Sequence, residues 1–191
     1  MIKIIQGYQP YNMNKIEDFV SSSTPNLDSD IDIVKGEECS GWVEFTFKHN
    51  NETFKITHSL AVSNLTPVVL FFESIINLKE GTAIFLDDEC ISEPLFYISP
   101  IDDSNIRFLI ARRKATHDDC IIDEIEGSDL MLSKYIIKSD VITDKTKLLN
   151  GFCRAVKNII STHEKNDLYY IDYEEWKDNY KHIISYSQKN K

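Results

Sequence analysis

The residues of this chain whose clustering most suggests chemistry are its acids. They stand as Asp87-Asp88-Glu89, Asp102-Asp103, Asp118-Asp119 and Asp123-Glu124, with Glu126 just beyond. Two carboxylates in one cleft can share general acid and base work, because burial and mutual repulsion push their proton affinities apart. Acids outside a cleft are ordinarily solvated turn residues. What departs from that role is their number in one region. Several acidic loops on one small sheet make a negative surface that steers a basic protein partner towards it.

Other chemistries find little support. The run His117-Asp118-Asp119-Cys120 collects four ligand-type residues. In a strand alternate side chains point to opposite faces, so the four do not converge on a metal. The five histidines show no HxxxH spacing, and the four cysteines, Cys39, Cys90, Cys120 and Cys153, form no CxxC pair. No serine sits in a Gly-x-Ser-x-Gly elbow. The one local Cys/His pair, Cys120 near His117, leads into Ile121-Ile122 and reads as core. Six glycines form no phosphate-cradling loop. The expectation is of no metal, no cofactor and no catalytic residue. The aromatic set Tyr169, Tyr170, Tyr173 and Trp176 reads as the buried stripe of a helix, and Arg112-Arg113-Lys114 as the basic end of a strand.

Charge narrows the class of partner. The 191 residues carry 31 acids and 21 bases, a net charge of −10 at pH 7. That disfavours nucleic acid and anionic membrane surfaces, both of which attract basic faces. The charge is uneven. Residues 1–65 hold 5 bases and 9 acids, residues 66–130 hold 5 and 14, and residues 131–191 hold 11 and 8. The middle is strongly acidic and the tail mildly basic. The N-terminal residues have no basic, apolar leader pattern, and the most apolar window, Thr66 to Leu78, is too short to span a bilayer and contains Glu73. Widely spaced cysteines give no disulfide framework, so free thiols in a reducing cytoplasm are expected.

The elements that must position the acids follow from periodicity. Ile2–Ile5 reads as a short strand, and Ile16, Phe19 and Val20 as one face of a short helix before the Ser21-Ser22-Ser23-Thr24-Pro25 loop. Ile31 and Ile33 alternate with acids before a turn at 37–41. Trp42–Lys48 and Thr53–His58 alternate across a turn and predict a hairpin. Thr66-Pro67 predicts a helix start, Val68–Lys79 its body and Gly81 its stop. Strands are expected at Thr82–Leu86, Leu95–Ser99, Ile106–Arg112, Cys120–Ile125 and Leu130–Lys138, with the second and third paired antiparallel across the Asp102–Asn105 turn. Thr143 or Asp144 caps a helix carrying Leu148, Leu149, Phe152, Val156, Ile159 and Ile160, and a last amphipathic helix covers 172–186. One α+β domain is expected over 1–191: partly irregular to residue 29, strand-rich over 30–138 and helical over 139–191. Its architecture is an antiparallel sheet with one inserted helix and two C-terminal helices.

Residues Phe71 to Arg112 carry a resemblance. A helix ending Leu-Lys-Glu-Gly81 leads to a short strand closing on Asp87-Asp88-Glu89. A hairpin, Leu95-Phe-Tyr-Ile-Ser99 and Ile106-Arg-Phe-Leu-Ile110, then crosses an Asp-Asp-Ser-Asn turn. This pattern resembles the small acidic α+β immunity proteins of bacterial polymorphic toxin and contact-dependent growth-inhibition systems. The resemblance implies a cytoplasmic, non-catalytic inhibitor that neutralises a cognate toxin domain, often a nuclease and so often basic. It supplies no fixed binding residues. Charge clustering alone selects Asp87, Asp88, Glu89, Asp102, Asp103, Asp118 and Asp119 as the partner-binding set, and leaves homo-oligomerisation open. Two rivals stand beside it. An adaptor would bind through a strand edge or its C-terminal helix and be indifferent to the acids, and a hydrolase would need a pocket of converging carboxylates around Asp87 to Glu89.

Overall fold

The computed structural model describes residues 2–4, 13–27, 31–39, 42–49, 52–59, 65–86, 94–113, 132, 135–166 and 173–190. The chain is α+β, as its patterning predicts, and its strands divide between two sheets. The larger takes β1 (Ile2–Ile4), β5 (Gly81–Phe85), β6 (Leu95–Pro100), β7 (Asn105–Arg113) and β8 (Tyr135–Asp144) in that order. All its pairs are antiparallel except β1 with β5. The smaller is an antiparallel meander of β2 (Ile31–Cys39), β3 (Trp42–His49) and β4 (Glu52–Ser59). Helices α1 (Met13–Ser21), α2 (Thr66–Ser74), α3 (Lys145–Asn166) and α4 (Tyr173–Lys189) complete the described elements.

Period-two alternation accounts for how the two sheets meet. Val43, Phe45 and Phe47 point inward from β3, with Ile31 and Ile33 of β2 and Ile56 of β4 on the same buried face. The large sheet answers with Ile84, Phe96, Ile98, Ile106, Phe108 and Val141. Phenylalanine rings join the layers. Phe47 meets Phe96 at 5.4 Å and Phe108 at 6.1 Å between centroids, Phe71 of α2 meets Phe96 at 5.9 Å, and Phe72 stacks on Phe152 of α3 at 4.0 Å. The opposite face of the large sheet, with Ala83, Phe85, Leu95, Tyr97, Leu109 and Ala111, is covered by Ile16 and Val20 of α1. Its central strands are therefore buried on both faces, which explains their nearly unbroken apolar runs.

A buried ion pair fixes α1. Arg107 of β7 meets Asp140 of β8 in a two-pronged contact, Nε to Oδ1 at 2.8 Å and Nη2 to Oδ2 at 2.7 Å. The same Nη2 donates to the carbonyls of Val20 at 2.7 Å and Ser23 at 3.0 Å, at the end of α1. Residue 26 then joins β8: its amide donates to the Asp140 carbonyl and its carbonyl accepts from the Ile142 amide. The hydrogen bond to Asp140 is the main cause holding the Arg107 proton more tightly than usual, against the effect of burial.

Several boundaries depart from the sequence expectation, and β2 is one of them: it runs to Cys39, through most of the turn expected at 37–41. Helix α2 is capped by Leu65, not Thr66, whose buried hydroxyl has no hydrogen-bond partner; the Val69 amide already closes on the Leu65 carbonyl. The helix also stops at Ser74. The Ile75 and Ile76 amides reach back three residues, to Phe72 and Glu73, tightening the chain while Ile75 stays in the core. Gly81 opens β5 opposite Ile2, so it belongs to the sheet and not to the helix stop. Strand β8 runs to Asp144, so strand extends past residue 138 and helix begins only at Lys145, where Asp144 accepts the Lys147 amide at 2.8 Å. The strand expected at Cys120–Ile125 lies outside the described residues.

Asp140→Ala should lower unfolding stability by about 3–5 kcal/mol, because it leaves the Arg107 guanidinium buried without its counter-charge. The double variant Arg107→Met/Asp140→Leu should recover only part of that loss in urea denaturation, because the Val20 and Ser23 carbonyls lose their donor. An equal loss in single and double variants would show that the pair contributes only by packing.

Candidate functional site

Strand register decides which acidic segments are neighbours. The Leu86 amide donates to the Pro94 carbonyl at 2.9 Å, so the chain leaves β5 and returns to β6 within one hydrogen bond. Leu95 pairs with both Phe85 and Ala111, and Arg113 pairs with Tyr135. The segments 87–93 and 114–134 therefore both depart from, and close on, the same end of the large sheet. Between them they carry ten acids and two bases, −8 of the net −10. Their flanks are rigidly held, with Leu86, Pro94, Leu95, Ala111 and Tyr135 all buried. Asp87, Asp88, Glu89, Asp118 and Asp119 themselves lie outside the described residues.

Asp102 and Asp103 stand at the other end. Strand β6 separates them from Pro94 by six residues, roughly 20 Å at about 3.4 Å per residue. Asp102 is already employed: its Oδ1 accepts the Ser104 and Asn105 amides at 2.8 and 2.7 Å, and the Asn105 side-chain amide donates to both its oxygens. These bonds, led by the Asn105 side chain, hold its carboxyl below the ordinary value, with Lys145 adding a smaller attraction. Asp103 is exposed, and its backbone carbonyl accepts from buried Lys145 Nζ at 2.8 Å. Lys145 thereby ties the start of α3 to this turn. Among the described residues no three His, Cys, Asp or Glu side chains gather as a metal site, and no helix is long and apolar enough to cross a membrane.

One concavity escaped the sequence reading. It lies between α3 and α4, about 640 Å³ in volume, and its lining includes Arg154, Lys157, Cys153 and Ser187. The two helices are held by the Tyr180 hydroxyl, which donates to the Cys153 carbonyl at 2.9 Å. Glu73 of α2 steadies α4 by accepting from Asn179 at 2.7 Å and meeting His182 at 2.8 Å. Burial pushes the Cys153 thiol up to about 11, opposed by the Ser187 hydroxyl and the Arg154 charge. A neutral thiol at physiological pH is no nucleophile. Of the aromatic set, Trp176 is buried, with Tyr180 and Ile183 of the same helix beside it in the core; Tyr169, Tyr170 and the Tyr173 side chain lie outside the described residues. The signal available in the sequence was charge, since no acid occurs from Lys145 to His163 in an otherwise acidic chain.

Two measurements follow from these placements. Asp102→Ala should speed hydrogen exchange at the Ser104 and Asn105 amides while leaving central β6 amides unchanged. In wild type the same amides should exchange faster, after correction for intrinsic rates, as pH falls below 3.8, because the depressed carboxyl supports the turn only when ionised. Cys153 should alkylate about 100-fold more slowly than an unperturbed thiol at pH 8, accelerating steeply towards pH 11. Peptide mapping after iodoacetamide pulses reads it directly, and a rate plateau below pH 9 would contradict it.

No protein-family model, curated protein or solved structure matches this chain.

Proposed function

We propose that this chain is a non-catalytic inhibitor that binds a basic partner protein through the acid-rich segments 87–93 and 114–134. The observation that carries the reading is their common origin: both close on one end of a sheet buried on both faces. Charge gathered at one end of a rigid scaffold raises the encounter rate with a basic surface by roughly 10 to 10³-fold at low salt, and complementarity then fixes the docked register. A toxin domain that acts on nucleic acid must present such a basic surface. The proposed partner is therefore a nuclease-type toxin, and the proposed compartment the cytoplasm, in keeping with the resemblance to immunity proteins. Asp87, Asp88, Glu89, Asp118 and Asp119 are the proposed contact residues. Asp102 and Asp103, at the far end and with Asp102 tied into its turn, are not needed for that contact. An adaptor docking through its C-terminal helix could not use Trp176 or Tyr180 as contacts, because both are buried in the core.

The test is affinity capture from a lysate of the source cells at low and then high salt, followed by mass spectrometry. A single basic protein should be retained at low salt and released as salt rises. Asp87→Lys/Asp88→Lys/Asp118→Lys/Asp119→Lys should abolish capture, and Asp103→Lys should leave it intact. Salt-insensitive capture, or equal capture by the fourfold variant, overturns the reading.

A further inference from the structure

The groove between α3 and α4 has a chemistry opposite to that of the chain as a whole. None of its lining residues is acidic. Arg154 and Lys157 stand three residues apart on α3, on one helix face, and both are exposed. Lys157 forms no ion pair among the described residues. Arg154 meets Asp32 at 2.6 Å, but both partners are largely in solvent, a setting in which an ion pair contributes little and either side chain turns readily to another charge.

Deeper in, the lining changes character. Ile160 and Ile184 are half-buried, and Tyr180 presents its ring with its hydroxyl already donated to Cys153. Ser187 is only 3% exposed, and its hydroxyl faces the Cys153 thiol, whose upward shift it opposes. Two cations at the rim, an apolar wall and a lining without acids describe a specific kind of occupant. The volume lies within the range of small-molecule sites.

We propose that this groove binds a small amphipathic carboxylate. Its head pairs with Arg154 and Lys157, and its hydrocarbon tail lies against Ile160 and Ile184. Cys153 takes no part in bond formation, since its thiol is neutral at physiological pH. The site is independent of the acidic segments, on other elements of the fold.

Octanoate is the probe, with octylamine and acetate as charge-reversed and tail-less controls. Calorimetry on the full chain should show saturable one-to-one octanoate binding. Amide shifts in an NMR titration should concentrate at 150–161 and 180–188. Arg154→Gln/Lys157→Gln, which touches only exposed side chains, should weaken binding about tenfold or more. Octylamine and acetate should not bind measurably. Equal binding of octylamine, undiminished binding by the double variant, or no saturation at millimolar octanoate overturns the proposal. The fourfold Lys variant of the acidic segments should bind octanoate like wild type, so failure of either proposal is read separately.

Discussion

The constraint on which the rest of this structure depends is the packing of phenylalanine between its layers. Phe47 of the small sheet, Phe96 and Phe108 of the large one, Phe71 and Phe72 of α2 and Phe152 of α3 form one continuous set of ring contacts. Each ring is buried, and such rings combine large apolar area with a preferred angular geometry. Removing one from such a core costs about 3–5 kcal/mol, a large part of a domain's net stability. The two sheets share no described hydrogen-bonded strand pair. Their relative placement therefore rests on side chains, with Phe47 set against Phe96 and Phe108 and aliphatic residues of both sheets around them. His49 adds one polar contact, Nδ1 to the Ser139 hydroxyl at 3.4 Å.

The second weld is electrostatic and acts on the opposite face. Arg107 links β7 and β8 to the end of α1 with four hydrogen bonds, in a place where an apolar residue could not satisfy the Val20 and Ser23 carbonyls. A planar guanidinium suits this role because its fork meets a carboxylate edge-on and still has a donor left for backbone. With both faces covered, the large sheet has little freedom to flex, and whatever leaves its end inherits a fixed base.

Local chemistry was legible in the sequence, and long-range pairing was not. The hairpins at 42–59 and 95–113 follow from alternation across turn residues, and the start of α3 from the cap candidates Thr143 and Asp144, of which Asp144 accepts the Lys147 amide. The division into two sheets has no local signature, since alternation states which face is buried and not which strand lies alongside. The parallel partnership of Ile2–Ile4 with β5 bridges about 80 residues and leaves no turn to read. Thr66-Pro67 misled for a related reason: the pattern was sound, but burial of Leu65 drew the helix start one residue earlier. The acids were legible as clusters. Their sorting into two ends of one sheet needed the register, because Asp102 and Glu89 are close in sequence and their segments attach a strand's length apart. The groove was invisible for the same reason: Cys153 and Ser187 sit on different helices, and only the packing of those helices brings them together.

Net charge conceals this arrangement. A value of −10 suggests a uniformly acidic body, yet the segments at one sheet end account for −8 of it, and the first 19 residues of α3 contain no acid. Segregation of this kind has a physical consequence that uniform charge lacks. At physiological ionic strength charges more than about 8 Å apart are largely screened from one another, so a cationic groove keeps its own potential when the acids lie well beyond that distance. Lys145 helps hold the arrangement, because its buried ammonium anchors the start of α3 to the turn at Asp103, the end of the large sheet remote from Leu86 and Pro94. On the two proposals made above, one chain would carry an acidic docking surface and a cationic groove on separate elements, held apart by the rigid scaffold between them. The phenylalanine packing and the Arg107–Asp140 pair supply that rigidity.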